Sequence, residues 1–209
     1  MTTSERTTGL RSVLSSAAIY DLLQRGLGAA RIRRVLVQDF LRPREGQRVL
    51  DIGCGTAEIL EFMPPVEYVG FDPNPGYVEK ARQRAGAGAK LVCDRVSEVS
   101  LAEHAPFDLV IALFVLHHLD ETEARQLFAT AVHHLAPGGL LLTADPCFVP
   151  GQNPFARFLI SRDRGAFVRN EAGYRGLAGG LSPLESTVRH DLLTVPYSHC
   201  ILTYRKPSA

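Results

Sequence analysis

The sequence predicts an α/β fold: a seven-stranded mixed sheet, mostly parallel with its last strand antiparallel, with helices on both faces and an N-terminal helical cap. Three observations lead there. Five short apolar runs, "RVLDI", "EYVGFD", "KLVCD", "FDLVIA" and "GGLLLTAD", alternate with stretches of helix-like composition or spacing. Strands alternating with helices form βαβ units around a parallel sheet covered on both faces. Two more strand-like runs, "STVRHDLL" and "YSHCILTY", are separated only by "TVP", too little chain for a parallel crossover, so they must pair antiparallel. Residues 12–41 have helical spacing, with Leu14, Ala18 and Leu22 on one stripe, Ile32, Val35, Leu36 and Phe40 on a second, and "GLG" at 26–28 between them.

In chain order, the helical cap (1–46) leads into a core (47–146) whose five strands are joined by "AEILEFM", "GYVEKARQRA", "VSEVSLAEH" and "ETEARQLFATAVHHLA". Beyond Pro146 a 24-residue stretch, 147–170, precedes a short helix candidate, "EAGYRGLAG". A loop of that length inside a compact domain usually serves function, so 147–182 is taken as a lid with its helix, and 183–209 as a terminal hairpin. At 209 residues with 45% hydrophobic content, the chain fits one domain able to bury a substantial core.

Composition excludes several classes. The longest apolar run, from Leu109 to Leu116, has eight residues, against roughly 20 for a membrane span. "MTTSERTTGL" lacks an apolar signal core, so a cytoplasmic protein is expected. Cys54, Cys93, Cys147 and Cys200 lie far apart without a CxxC pair, which suggests reduced thiols and no metal site. The net charge of +1 divides into +5 over 1–48, −8 over 49–150 and +4 over 151–209. An acidic core argues against nucleic acid as partner, while the basic arms either meet an anion or are solvated arginine.

"VLDIGCGTAEIL" at 49–60 places two glycines in the turn between the first strand and the next helix. Such a turn suits a nucleotide-like ligand. No Gly-Lys-Ser/Thr follows, so it is not a phosphate loop. A dinucleotide site would need a third glycine where Glu58 stands, and a carboxylate there would repel a pyrophosphate. Asp51, two residues before Gly53, favours a ligand that is neutral or cationic beside the turn and carries a ribose.

Taken in order, "VLDIGCGTAEI", "YVGFDPNP", "LVCDRVSEV", "FDLVIALFVLHHLD" and "LAPGGLLLTADP" resemble the five core motifs of the class I S-adenosylmethionine-dependent methyltransferases, and the terminal hairpin is similar to theirs. The resemblance implies a Rossmann-like fold, S-adenosylmethionine as cofactor with S-adenosylhomocysteine as product, and no metal. It implies that Gly53 and Gly55 let the backbone approach the cofactor with Cys54 as small filler, that Asp51 holds the methionine ammonium, and that Asp72 accepts the ribose hydroxyls. Asp94 would take the adenine amino group, with the Arg95 amide close by. Phe71 or Pro73 would pack on the adenine, and Leu113 would lend backbone groups to the methionine end. Ala57 departs from the pattern where a third glycine is usual.

The acceptor side is read from the residues left over. "LHHL" at 116–119 follows the fourth strand at the carboxyl edge, where open α/β sheets bind ligands, so His117 is the candidate general base and His118 its neighbour in the acceptor pocket. His133, His134, His190 and His199 read as packing or rim residues. Arg157, Arg162, Arg164 and Arg169 interleave with Phe155, Phe158 and Phe167 against a single acid, Asp163. This mixture suggests an amphipathic lid over an acidic small molecule, with Arg162, Arg164, Arg169 and Tyr20 touching it. The expected enzyme methylates a small, acidic molecule at O or N, as a monomer or homodimer. An RNA- or protein-directed methyltransferase and a non-catalytic binding homologue are the alternatives.

Overall fold

The computed structural model describes residues 28–208 except Ala87, Ala105, Arg164, Gly180 and Ser182. Tyr20, Arg164 and the first stripe of the cap therefore lie outside the described residues. The described cap is α1 (Ala29–Val35), continued by a wide helical turn at Leu36–Leu41. Then follow β1 (Arg48–Ile52), a 3-10 turn at Glu58–Phe62, β2 (Glu67–Phe71), α2 (Pro75–Ala85), β3 (Ala89–Val92), α3 (Glu98–Leu101) and β4 (Phe107–Leu113). A short 3-10 turn (Leu116–His118) leads to α4 (Glu121–His133) and β5 (Leu135–Phe148). The chain closes with α5 (Pro154–Ser161), β6 (Arg169–Asn170), α6 (Glu171–Gly176), β7 (Glu185–Arg189) and β8 (His199–Arg205).

The sheet runs β3-β2-β1-β4-β5-β8-β7, with β8 antiparallel to both of its neighbours. This is the expected seven-stranded path. Alternation along the strands sorts side chains into two cores. Leu50, Ile52, Val110, Leu141 and Leu202 pack with α4, while Val49, Leu109, Ile111, Leu142 and Ile201 pack with Ile32, Leu36 and Leu41 of the cap. Local chemistry starts the helices where the motifs need them. Asn74 accepts from the Gly76 and Tyr77 amides with Pro75 in the first turn of α2, and Asp120 and Glu123 form a reciprocal capping box at the start of α4. From β1 the chain builds outward to β2 and β3, then returns to place β4 on the other side. The crevice at the carboxyl ends of β1 and β4 is thus the switch point at which such sheets bind ligands.

Three expectations change. An eighth strand, β6, pairs with the end of β5 through Cys147–Arg169 and Phe148–Asn170, so the lid is anchored to the sheet. The lid itself contains α5, capped by Asn153. Residues 190–196 do not continue the hairpin as a strand and a three-residue turn. Arg189 closes a salt bridge onto Asp191 at 2.7 Å, Leu192 drops into the core beneath the cap, and 190–198 forms a wide connection. The antiparallel pairing of β7 and β8 stands, over a wider loop.

Candidate active site

The turn after β1 is built from backbone as much as from side chains. The amides of Gly53 and Cys54 donate to the Phe71 carbonyl at 2.8 and 3.0 Å, and the Gly55 amide donates to Asp72 Oδ2 at 2.9 Å. Gly53 has φ 76, and a Cβ there would collide with Val115. Gly55 has φ 54, and a Cβ there would meet nothing within 4 Å, so the turn is open on that side. Ala57 takes the third-glycine position with φ 53, fully buried. That left-handed conformation costs an L-residue about 1–2 kcal/mol.

Both acids expected at this turn are there. Asp51 is 3% exposed and accepts from the Tyr68 hydroxyl at 2.6 Å. Burial pushes its pKa up to about 7, with Asp72 adding to the rise and the Tyr68 hydrogen bond and Arg33 opposing it. Asp72 is oriented at both oxygens, by Gly55 N on Oδ2 and Asn74 N on Oδ1 at 2.8 Å. The cap of α2 is Asn74, which frees Asp72 from that duty. Each Asp72 oxygen keeps a lone pair for a diol. Leu113 ends β4, partly buried beside the turn, and Cys54 is a buried filler whose thiol pKa burial pushes upward. The backbone cradle at Gly55, an acid suited to a cation and an acid suited to a diol match the donor and acceptor needs of S-adenosylmethionine.

Other cofactor expectations need correction. Phe71 is a core residue, fully packed, leaving only exposed Pro73 for the adenine face. The Arg95 amide already donates to Asp94 Oδ1 at 2.7 Å, and the Arg95 guanidinium pairs with Glu123, so an adenine can use that amide only if Asp94 turns away. Glu58 pairs with Arg33 of α1 at 2.7 Å and with Arg84. Its charge is thus neutralised, and the repulsion argument against a pyrophosphate loses force.

At the same edge a second cluster forms. His117, 3% exposed, lies between two carboxylates: its Nδ1 is 2.8 Å from Asp145 Oδ1 and its Nε2 3.3 Å from Asp163 Oδ1. Burial would lower its pKa, but the hydrogen bonds and charges of Asp145 and Asp163 prevail and raise it to about 9. In turn burial works against the Asp163 charge, yet His117, the Gly165 amide and Tyr197 hold that carboxyl well below the usual range. The Tyr197 hydroxyl donates to Asp163 Oδ2 at 2.7 Å, and the Tyr197 ring lies 5.0 Å from His199. His199 faces Phe114, which has φ 60 just past β4. Burial lowers the His199 pKa to about 3, so its ring is neutral.

This arrangement corrects His117 as a ready-made base. An imidazolium with both N–H groups given to carboxylates cannot accept a proton. The lid also crosses it closely: a Cβ on Gly165 would overlap the His117 ring, and the Phe167 amide donates to the His117 carbonyl at 2.9 Å. His118 is exposed with its ring 4.1 Å from that of His117.

Of the described lid arginines, Arg169 is spent on structure. Arg169 donates to the carbonyls of Leu116, Leu119 and Phe167 at 2.9, 3.0 and 3.0 Å, which makes it a staple and not a grip for an acid. Arg162 lies exposed over Phe158, and Arg157 over Phe148. Sequence reading missed Asp145, Asp163 and Tyr197. Asp145 had a signal, an acid inside the apolar run "LLLTADPCF", whereas nothing local marks Asp163 or Tyr197. Among the described residues, Glu98, His133 and His134 could together hold a metal ion. They lie at the amino edge, where α4 enters β5, away from the turn, and a 3.0 Å contact between Glu98 and His134 accounts for their approach.

Fold and site together define a class I S-adenosylmethionine-dependent methyltransferase architecture. More particularly, residues 49–139 match the family described as "Methyltransferase domain". A ubiquinone biosynthesis O-methyltransferase of Azorhizobium caulinodans is 32% identical over 123 residues, which is 54% of this chain and 48% of that protein. A Mus musculus protein named "Probable tRNA methyltransferase 9B" is 35% identical over 51% of this chain and 23% of its own. The chain thus spans about half or less of the curated relatives it matches. Among solved structures, the N-methyltransferase NodS from Bradyrhizobium japonicum with S-adenosylhomocysteine superposes with TM-score 0.59, at 17% identity over 94% of this chain and 91% of that one. At that identity the likeness speaks for the fold.

Proposed function

We propose that the chain transfers a methyl group from S-adenosylmethionine to a nitrogen or oxygen of a small molecule bound at the carboxyl edge beyond β4 and β5. The observation that carries this reading is the Asp51–Asp72 turn on the same sheet edge as the buried His117–Asp145 pair, which the half-buried Asp163 and Tyr197 extend. When bound, the cofactor supplies an electrophilic methyl group. Asp51 holds the ammonium end, and Asp72, already fixed by two amides, takes the ribose. His117 ties the lid to the edge at Asp163 and at the Phe167 amide. Transfer from a sulfonium needs chiefly alignment, so His117 acts as a positioning residue and becomes a base only if Asp163 withdraws. The acceptor is neutral or amine-bearing, because Arg169 is committed and two carboxylates outnumber one imidazolium at this edge. The names of the relatives include an O-methyltransferase and an N-methyltransferase, which supports both atoms as targets. Four free cysteines, three of them buried, fit a cytoplasmic setting, and none of the described helices is long and apolar enough to cross a membrane.

A second reading, methylation of RNA, draws on the name of the mouse relative. The core carries six basic against fourteen acidic residues over 49–150, which opposes it. Incubation with methyl-labelled S-adenosylmethionine and a host extract divided into small molecules, RNA and protein decides between them. Label is expected in the small-molecule fraction, while label confined to RNA or protein contradicts the proposal.

A further inference from the structure

The end of α4 carries two adjacent histidines, His133 and His134, which meet Glu98 of α3 at the amino edge of the sheet. Neighbouring side chains on a helix do not face each other, but α4 stops between these two: His133 is its last residue, and His134 caps it with φ −85 and ψ 0. The rings therefore come together, with centroids 4.9 Å apart. Lys206 fixes the backbone that carries them, its Nζ donating to the carbonyls of His133 and Leu135 at 2.9 and 2.7 Å. The carboxylate is held as well. His134 Nε2 lies 3.0 Å from Glu98 Oε2, and the hydroxyl of Thr130, buried on α4 one turn before His134, donates to the same carboxylate.

The ion pair between Glu98 and His134 accounts for two of these groups and leaves His133 over. Among the described residues nothing hydrogen-bonds the His133 imidazole, yet one ligand atom from each of the three residues lies within 4.8 Å of the others. Metal bonds of about 2.0–2.2 Å to nitrogen and oxygen in a tetrahedral set put ligand atoms roughly 3.3 Å apart. The 3.0 Å pair already has close to that spacing, and the exposed His133 ring closes the rest by turning. We propose that Glu98, His133 and His134 bind a divalent transition-metal ion of the zinc type, with water completing its shell. Two imidazoles and one carboxylate select such an ion over magnesium or calcium, which take oxygen ligands. Thr130 supplies the outer hydrogen bond that orients a ligating carboxylate. The site stands apart from methyl transfer, at the edge opposite the Asp51–Asp72 turn. Its effect is on the fold: the ion ties α3, a helix of only four residues, to the end of α4.

Calorimetric titration of zinc chloride into the full chain, first stripped of metal with a chelator, tests the site. One ion per chain is expected, and magnesium chloride is expected to give no binding. His133→Ala, at an exposed position, is expected to weaken zinc by at least about tenfold, and Thr130→Val, which leaves all three ligands in place, by about tenfold. Because an ion bound to the folded chain alone stabilises it, zinc is expected to raise the thermal midpoint of the wild type and to leave that of His133→Ala unchanged. Cys93 is the exposed thiol of the chain and the competing ligand, and Cys93→Ser is expected to bind zinc as the wild type does. No zinc binding, equal affinity in His133→Ala, loss of binding in Cys93→Ser, or magnesium held as tightly as zinc overturns the site. Wild-type affinity in Thr130→Val overturns the part given to Thr130.

Discussion

Asp51 lies beneath the turn with burial working against its charge and Tyr68 working for it, so its pKa stands at about 7. A cationic ligand favours the ionised form, and binding below that pH must release a proton. The affinity for S-adenosylhomocysteine is therefore expected to rise between pH 6 and 8, and Asp51→Asn to bind weakly with a flat profile, as read by calorimetry. A wild-type affinity independent of pH would show that Asp51 does not meet the ammonium. The sign is opposite at His117. Its folded pKa of about 9 lies above the ordinary 6.5, so its stabilisation is complete below about pH 6.5 and lost as pH rises through 9. NMR titration is expected to place the His117 ring near 9, and Asp163→Asn to lower it. A ring titrating near 6.5 in both proteins would mean the Asp145–His117–Asp163 chain does not form. At this scale the acids of the turn were legible, because each ends a strand within a local motif. The partners of His117 were not, because an ion pair between chain-distant residues leaves no periodic trace, and the lid arginines looked alike until their donors could be followed.

The lid shows how an element can be mistaken for a loop. Its sequence mixes arginine and phenylalanine without a clear period, yet Asn153 and Pro154 start α5, and β6 pairs two residues with β5. Arg169 ties this element to the turn that carries His117. A hydrogen bond from a charged group is worth about 1.5–3 kcal/mol, and two of the three from Arg169 are part-buried. Arg169→Ala is accordingly expected to lower stability in denaturant by about 2 kcal/mol, whereas Arg162→Ala, which loses an exposed cation–π contact, should stay within about 1 kcal/mol. Equal small effects would return Arg169 to the role of an acceptor grip. The five core strands were legible because each is a short apolar run between turn residues. The β7–β8 connection was misjudged because "HDLL" has strand-like composition, while a salt bridge and the burial of Leu192 give it a turn.

On the scale of the whole molecule, the cap, the turn and the lid converge on one edge of a sheet whose two faces are both buried. Arg33 of the cap reaches Glu58 beside the turn, and Gly28, which opens α1, packs against Leu192 of the β7–β8 connection. The fold class and five motifs were readable because parallel strands alternating with helices allow few topologies. The acceptor was not, since arginine content says nothing of where each guanidinium goes, and Arg169 staples backbone carbonyls while Arg162 stays exposed. The central claim is that the Asp51–Asp72 turn receives S-adenosylmethionine. Calorimetric titration with S-adenosylmethionine, S-adenosylhomocysteine and NAD tests it most directly. The account predicts one site for each of the first two, none for NAD, and a loss of about 2 kcal/mol on Asp72→Ala, the worth of hydrogen bonds to a charged group. Tight NAD binding with no response to S-adenosylmethionine would contradict it.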